Sequence, residues 1–230
     1  MAKAFVTDVK QEMPGWVARI YARQIAAGSH SIYERMVDEV ASRVGDVERV
    51  VDLGCGPGHA TELLARRYPG ANVIGVDLSD VFVSMAREQR RPLANLSFEL
   101  GNAVDCRFGD GEFDLAVSFL SIKAWPDRQK GVAEMARIVR PGGRVALFEC
   151  DPDCTPEAAH NFCSLWRMNM GLSGAATSRM GRAWYFRRFV ASEGCRAEDF
   201  RTMLEASGLT GVETCSWKDQ PFAFGTGRKL

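Results

Sequence analysis

Two acids and three glycines in the first half of the chain have the types and spacing of a nucleoside-binding site. Gly54, Gly56 and Gly58 form a GxGxG pattern directly after a short apolar run that contains Asp52. Glycines in such a turn accept positive φ angles and let a ligand approach the backbone without a Cβ in the way. Asp77 ends the next apolar run, where a carboxylate can accept hydrogen bonds from both hydroxyls of a ribose. The pattern therefore predicts a glycine cradle beside a diol acceptor.

The charge of Asp52 separates the two cofactor classes that use such a unit. Dinucleotides require GxGxxG with a pyrophosphate on the helix amides, but the third glycine position, counted from Gly54, is His59. A carboxylate ahead of the turn would repel pyrophosphate, and it suits the cationic aminoacyl end of S-adenosylmethionine. The sequence thus favours S-adenosylmethionine over NAD. Two alternatives stay open: the glycines could be purely conformational, and Asp77 could cap the following helix.

The elements that must position these residues alternate short apolar runs with segments of helical spacing. Such alternation predicts βαβ units and a parallel sheet covered by helices on both faces. We expect an α/β fold, doubly wound around a mostly parallel seven-stranded sheet, with an antiparallel hairpin at the C-terminal end. The predicted strands cover residues 47–53, 71–78, 96–100, 113–120, 144–150, 211–217 and 221–229.

The order of the predicted helices and strands indicates one domain over residues 1–230. Within it we expect N-terminal cap helices at 12–44, a cofactor-binding core at 48–150, a lid insertion at 151–195 and a closing helix and hairpin at 196–230. In this scheme the N-terminal helices and the segment after the fifth strand form a helical lid, because ligands of open α/β sheets bind beyond the carboxyl ends of the strands.

Five motifs in register give the chain its likeness to a known family. They are VVDLGCGPG, VIGVDLS, LGNAVD, FDLAVSFLSIKAWPD and MARIVRPGGRVALFE. In this order and spacing they resemble the class I S-adenosylmethionine-dependent methyltransferases, and most of all the small-molecule group that includes the ubiquinone- and menaquinone-biosynthesis enzymes. The resemblance covers residues 48–150 strongly and 196–230 weakly.

The resemblance implies S-adenosylmethionine as cofactor and a role for each matching position. Asp52 and the three glycines would surround the amino-acid moiety, and Asp77 would hold the ribose, with Leu78 packed on ribose and adenine. Asn102 stands where relatives usually carry Asp, and its side-chain oxygen would accept from the adenine amino group. The implied cofactor-binding residues are Asp52, Gly54, Gly56, Gly58, Asp77, Leu78, Asn102, Ala103 and Phe119.

No residue is a strong candidate for acid–base catalysis, since methyl transfer needs mainly an aligned nucleophile. Lys123, His160 and Tyr21 are weak candidates. Lys123 replaces a His common in relatives and could face the transferred methyl or an anionic substrate, or be a solvated loop lysine. We predict no metal site, and we interpret the acids after the fifth strand, Glu149, Asp151 and Asp153, as loop acids.

Aromatic and arginine residues interleave in the predicted lid. The segment carries Trp166, Trp184, Tyr185 and Phe186 among Arg167, Arg179, Arg182, Arg187 and Arg188. Such a mixture suits an aromatic or anionic small molecule, a stacked RNA base or simply a solvated helix face. The (N/D)PPY motif and the Pro-Cys pair of nucleobase methyltransferases are absent from the sequence, so a nucleic-acid substrate is disfavoured.

Composition points to an ordinary soluble protein without a broad affinity for polyanions. The 230 residues contain 29 Lys and Arg against 29 Asp and Glu, a formal net charge of zero, which argues against general phosphate attraction. There is no apolar run of membrane-spanning length and no evident signal peptide, and the seven cysteines form no CxxC pair. We therefore expect a cytoplasmic protein with buried thiols, thiol chemistry at Cys150, Cys154 and Cys163 being the alternative.

Three functions compete at this point. The favoured one is methyl transfer to a small molecule by proximity and in-line alignment. The others are a nucleotide-dependent oxidoreductase of the NAD type and a non-catalytic module that binds S-adenosylmethionine. The acceptor atom and the oligomeric state are left open by the sequence.

Overall fold

The computed structural model describes residues 29–90, 93–165 and 179–230. In this part of the chain the sheet has seven strands in the order β3-β2-β1-β4-β5-β7-β6. The strands are β1 Arg49–Leu53, β2 Asn72–Asp77, β3 Leu96–Leu100, β4 Phe113–Phe119, β5 Val139–Cys150, β6 Thr210–Ser216 and β7 Phe222–Arg228. The first five are parallel, and β7 pairs antiparallel with both β5 and β6. The predicted doubly wound sheet with its C-terminal hairpin is confirmed.

Helices cover both faces of this sheet. They are α1 His30–Ala41, α2 His59–Arg67, α3 Asp80–Gln89, α4 Arg128–Ile138, α5 Pro156–Leu165, α6 Arg179–Tyr185 and α7 Ala197–Ala206, with a 3₁₀ turn at Ile122–Ala124 and a π-helical turn at Phe186–Val190. Of the predicted cap helices, residues 12–28 lie outside the described residues, and α1 is the second helix.

Neighbouring residues of the central strand β1 pack into two separate hydrophobic cores, one on each face of the sheet. Val50 of β1 packs in the core formed with α1, α2 and α5, whereas its neighbour Val51 packs in the core formed with α4 and α7. Both residues are completely buried. A parallel strand that is buried on both faces has apolar residues along most of its length. This continuous apolar run is why the sequence indicates the central strands clearly.

The start of β5 differs from the prediction. We expected a helix through residue 140 and a strand from 144, but α4 ends at Ile138 and β5 begins at Val139, which pairs with Phe113 of β4. The pairing then shifts register and resumes between Leu115 and Arg144. The Pro141-Gly142-Gly143 turn is therefore a bulge within the strand; Gly142 adopts φ +83°, and a Cβ on Gly143 would lie 2.6 Å from a backbone oxygen of β4.

None of the helices in the described ranges is both long and apolar enough to cross a membrane.

Candidate functional site

The glycine turn after β1 has two closed sides and one open side. Gly54, Gly56 and Gly58 have φ angles of +78°, +53° and +79°. A Cβ on Gly54 would overlap the Ser121 side chain, and one on Gly58 would lie 2.6 Å from the Phe98 ring, whereas a Cβ on Gly56 would meet nothing within 4 Å. Two of the glycines thus serve packing within the chain, and the backbone around Gly56 is the part that a ligand can approach.

Asp52 is a buried acid with half of its hydrogen bonding unfilled. Its side chain is at the end of β1 and is 1% exposed. Oδ2 accepts a hydrogen bond of 2.7 Å from Thr61 Oγ1, but the buried Oδ1 has no partner in the described part of the chain. Burial raises the pKa of Asp52 to about 7, against the lowering effect of Thr61, and the nearby charge of Asp77 raises it further. A buried carboxylate with one oxygen lacking a hydrogen-bond partner would be stabilised by a bound cation.

A small cavity of about 20 Å³ adjoins this carboxylate. Residues from β1, the glycine turn, α1, α2 and the end of β4 form its wall: Tyr33, Asp52, Gly54, Cys55, Pro57, His59, Ala60 and Phe119. Two predicted site residues from distant parts of the sequence, Asp52 and Phe119, therefore meet at one place. Tyr33 of α1 lies in the same wall.

Asp77 braces the glycine turn from the neighbouring strand. Its Oδ2 accepts from the Gly56 amide at 2.8 Å and its Oδ1 from the Ser79 amide at 2.9 Å. The N-cap of α3 is Ser79, whose hydroxyl accepts from the Phe82 amide, so the alternative that Asp77 caps this helix is wrong. Burial raises the pKa of Asp77. Each carboxylate oxygen keeps a second lone pair with which it can accept a further donor.

An apolar shelf lies beside Asp77 at the ends of β2 and β3. Leu78 is 54% exposed and Leu100, which pairs with Asp77 across the two strands, is 56% exposed. Large exposed leucines at the ligand edge of a sheet suit the face of an adenine or ribose. Leu100 was missed by sequence reasoning, although its place at the end of the LSFEL strand was a usable signal.

Asn102 is held in a local turn after β3. Its side-chain oxygen accepts from the Val104 amide at 3.1 Å, which is a local turn that Asn commonly makes. An amide oxygen has two lone pairs, so this oxygen can still accept a hydrogen bond from the adenine amino group, and its role stays a prediction. Ala103, next in the chain, is buried.

Phe119 and Leu120 end β4 next to the cavity. The Phe119 ring stacks on Phe148 with centroids 5.6 Å apart and meets the edge of Tyr33 at 6.5 Å. Leu120 adopts φ +57°, the only non-glycine residue of the described ranges with a positive φ. Such strain concentrates at functional positions, but no feature of the sequence around Leu120 indicates it.

Lys123 is engaged in a buried ion pair. Its Nζ lies 3.0 Å from Oε1 of Glu149, a side chain with no exposed surface, and its backbone amide donates to Oε2 at 3.3 Å. The Cys150 amide also donates to Oε1, at 2.7 Å. The interpretations of Lys123 as a solvated loop lysine and of Glu149 as a loop acid are therefore wrong, because Glu149 is a buried residue of β5 that pairs with Lys123.

Of the other weak catalytic candidates, His160 is not brought to the cavity. His160 lies on α5 with Nε2 3.5 Å from the Ser164 hydroxyl and is not in the cavity wall. Tyr21, Trp166 and Arg167 lie outside the described residues. No cluster of potential metal ligands occurs in the described ranges.

Two of the three cysteines considered for thiol chemistry, Cys150 and Cys154, are poor nucleophiles. Burial raises the pKa of Cys150 to about 12 and that of Cys154 to about 11. A thiol that holds its proton this firmly is a poor nucleophile at neutral pH. The environment of Cys150 and Cys154 therefore opposes thiol chemistry at these two positions.

A larger, apolar cavity of about 370 Å³ lies beyond the end of β5. Its wall comes from the loop after β5, the start of α5, α6 and the π-helical turn: Pro152, Pro156, Met180, Ala183, Trp184, Arg187 and Arg188. Trp184 and Met180 are 63% and 71% exposed. Part of the aromatic and arginine mixture predicted for the lid thus surrounds a real cavity.

Comparison with known proteins agrees with this geometry. Residues 50–143 match a family model described as a methyltransferase domain. A chloroplastic tocopherol O-methyltransferase of Arabidopsis thaliana is 29% identical over 77% of this chain and 48% of its own length. A trans-aconitate 2-methyltransferase of Variovorax paradoxus is 36% identical over 55% of this chain and 48% of its own. The chain thus spans about half the length of these relatives.

The same fold occurs among solved structures. A putative S-adenosylmethionine-dependent methyltransferase of Methanococcus maripaludis superposes with a TM-score of 0.73 at 17% identity, covering 95% of this chain and 94% of that one.

Proposed function

We propose that this chain, whose residues 50–143 match a family model described as a methyltransferase domain, transfers the methyl group of S-adenosylmethionine to a small-molecule acceptor. The observation that carries the proposal is the buried Asp52, whose Oδ1 has no partner in the described part of the chain. A protein keeps such an acid only where something compensates the cost of desolvation. The ammonium of an aminoacyl group is a compensating partner of the right charge.

The residues around the turn fit the cofactor group by group. Asp52 would take the ammonium, Asp77 the ribose hydroxyls, and Leu78 with Leu100 the adenine face. The open approach to Gly56 leaves room for the chain between sugar and amino acid. An oxidoreductase is disfavoured, because a pyrophosphate at this turn would face the carboxylate of Asp52.

The chain's own contribution to the reaction would be alignment and exclusion of water. When bound, the cofactor supplies an electrophilic methyl group on a positively charged sulfur. The protein has to hold the acceptor atom about 3 Å from that methyl and in line with the sulfur. Phe119 and Tyr33 supply aromatic walls next to Asp52, and such walls keep water away and favour a cation nearby.

The cavity after β5 supports an aromatic or anionic acceptor. Its wall is mostly apolar and includes an indole, which suits a flat ring, and its charged members, Arg187 and Arg188, are both cationic. Tocopherol and trans-aconitate, named for the two relatives above, are a phenol and a carboxylate. Both kinds of acceptor suit this wall.

The decisive experiment separates cofactor binding from transfer. Calorimetry with S-adenosylhomocysteine and with NADH tests the cofactor, and we expect binding of the first alone. A screen of phenols, quinols and polycarboxylates with methyl-labelled cofactor tests the reaction. Binding of NADH alone would refute the proposal, and cofactor binding without transfer to any acceptor would favour the non-catalytic module.

We also propose a cytoplasmic location, supported by the seven cysteines, which form no disulfide within the described ranges. Cell fractionation with a tagged chain tests it, and recovery of the protein in a membrane or organelle fraction would contradict it.

A further inference from the structure

His59 belongs to a hydrogen-bond network beside the cofactor site. It is the first residue of α2 and lines the cavity beside Asp52. Its Nδ1 lies 3.1 Å from Nη1 of Arg90. A guanidinium can donate but not accept, so Nδ1 is the acceptor and bears no proton. The ring proton is therefore on Nε2, which makes this nitrogen a hydrogen-bond donor.

Arg90 and the ring are each held by a second contact. The same Nη1 lies 3.3 Å from Oε2 of Glu62, and the Arg90 and Glu62 side chains are 14% and 16% exposed. On the other side, the Tyr33 ring lies parallel to the His59 ring within 10°, with centroids 6.5 Å apart. A second proton on His59 would have to face an N–H group of Arg90. The arrangement therefore favours one neutral tautomer in one orientation.

We propose that His59 is a specificity-determining donor for the carboxylate of the cofactor's aminoacyl end, and that Arg90 is the positioning residue that sets its tautomer. The inference rests on the proposed function, since it requires S-adenosylmethionine as ligand. An α-amino acid carries an ammonium and a carboxylate on one carbon. The cavity offers an acid with an unfilled oxygen, Asp52, and an imidazole donor, His59, in one wall. The amino end of α2, where His59 sits, adds a partial positive charge.

The first test uses ligands that differ only in the carboxylate. Calorimetry compares S-adenosylhomocysteine with its decarboxylated analogue on the wild type and on His59→Phe, which keeps a ring but loses the donor. We expect His59→Phe to weaken S-adenosylhomocysteine about tenfold or more, the size of a lost hydrogen bond to a charged group, and to change the analogue less than twofold. His59→Gln, which carries an N–H near the position of Nε2, should recover most of the affinity.

Equal losses for the two ligands would overturn the proposal, because they would mean that His59 merely supports the cavity. An unchanged affinity for both would overturn it as well. Thermal unfolding of each variant shows that it is folded. If the wild type binds neither ligand, the proposed function fails, and the carboxylate role fails with it.

The second test concerns Arg90 and needs no ligand. Proton–nitrogen NMR of the His59 ring identifies which nitrogen is protonated, and we expect Nε2 alone in the wild type. Arg90→Met should give a mixture of tautomers and weaken S-adenosylhomocysteine severalfold. Arg66→Met is the matched control, since Arg66 carries the same charge and also pairs with Glu62, at 2.7 Å, whereas Arg90 is the arginine whose guanidinium lies against Nδ1 of His59. A wild-type ring protonated on Nδ1, or equal spectra for both variants, would refute the positioning role.

Discussion

Two buried acids at the ligand edge of the sheet, Asp52 at the end of β1 and Glu149 near the end of β5, solve the same problem differently. Both are at most 1% exposed. Glu149 has Nζ and the backbone amide of Lys123 and the amide of Cys150 on its two oxygens. Asp52 has Thr61 on one oxygen and, in the described part of the chain, nothing on the other. A complete set of partners indicates a structural acid, and an incomplete set indicates a site that awaits a ligand.

The largest effect, a loss of stability, is expected from removing the lysine that pairs with Glu149. Lys123→Met leaves Glu149 buried without its cation, which costs about 3–5 kcal/mol in similar cases. We expect the free energy of unfolding in urea to fall by about 3 kcal/mol, because Lys123 is 28% exposed and water can partly replace it. Affinity for S-adenosylhomocysteine in the folded fraction should stay within twofold. A Lys123→Met variant that keeps its stability but no longer binds S-adenosylhomocysteine would contradict the structural role of Glu149.

The opposite pattern is expected for Asp52→Asn. The neutral side chain can still accept from Thr61 but cannot pair with an ammonium, and loss of one member of a buried charge pair costs about 2 kcal/mol or more. S-adenosylhomocysteine should therefore bind at least thirtyfold more weakly in calorimetry. The cofactor-free variant at pH 8 should unfold at the same temperature as the wild type or higher, since an unpaired buried charge has gone. A lower unfolding temperature would mean that Asp52 is structural, like Glu149.

The pKa of about 7 at Asp52 predicts two opposite pH dependences. The folded protein binds a proton that the unfolded chain, with a carboxyl pKa of 3.8, has released, so this group's contribution to stability falls between about pH 4 and pH 7. Cofactor binding needs the ionised form, so affinity should rise up to tenfold per pH unit until about pH 7 and then level off. Calorimetry from pH 5.5 to 8 measures this, and the Asp52→Asn profile should be flat. A wild-type profile as flat as that of the variant would refute the assignment.

The smallest effect is expected on the apolar shelf. Leu78 is 54% exposed, so Leu78→Ala should change the free energy of unfolding by no more than about 0.5 kcal/mol. It removes apolar contact with the nucleoside, worth about 1 kcal/mol or roughly fivefold in affinity. Methylthioadenosine, which lacks the amino acid, should lose the same factor as S-adenosylhomocysteine. A loss confined to the longer ligand would place Leu78 elsewhere in the site.

Local signals in the sequence predicted the strands and the two ends of the cofactor unit. The apolar runs of β1, β2 and β4 are continuous because both faces are buried, and the glycines after β1 mark a turn with positive φ. The partner of a polar residue is not a local property, however. Lys123 and Glu149 are 26 positions apart, and His59 and Arg90 are 31 apart, so their pairing follows from sheet order rather than from any pattern around them.

Other differences have equally specific causes. The start of β5 was misplaced because Pro141-Gly142-Gly143 is typical of a helix stop and turn, whereas here it forms a bulge within a strand. The positive φ of Leu120 occurs in a residue type that avoids this region, so the residue type gives no signal for it. The turn at Asn102, in contrast, is local, and sequence reasoning could have predicted it.

The hydrogen bond from the Gly56 amide to Asp77 has a consequence for redesign of this protein. The carboxylate proposed to select the sugar is also a brace of the loop proposed to receive the amino acid. Exchanging Asp77 to accept another nucleoside would therefore disturb the opposite end of the ligand, and a new preference would require compensating changes in the glycine loop.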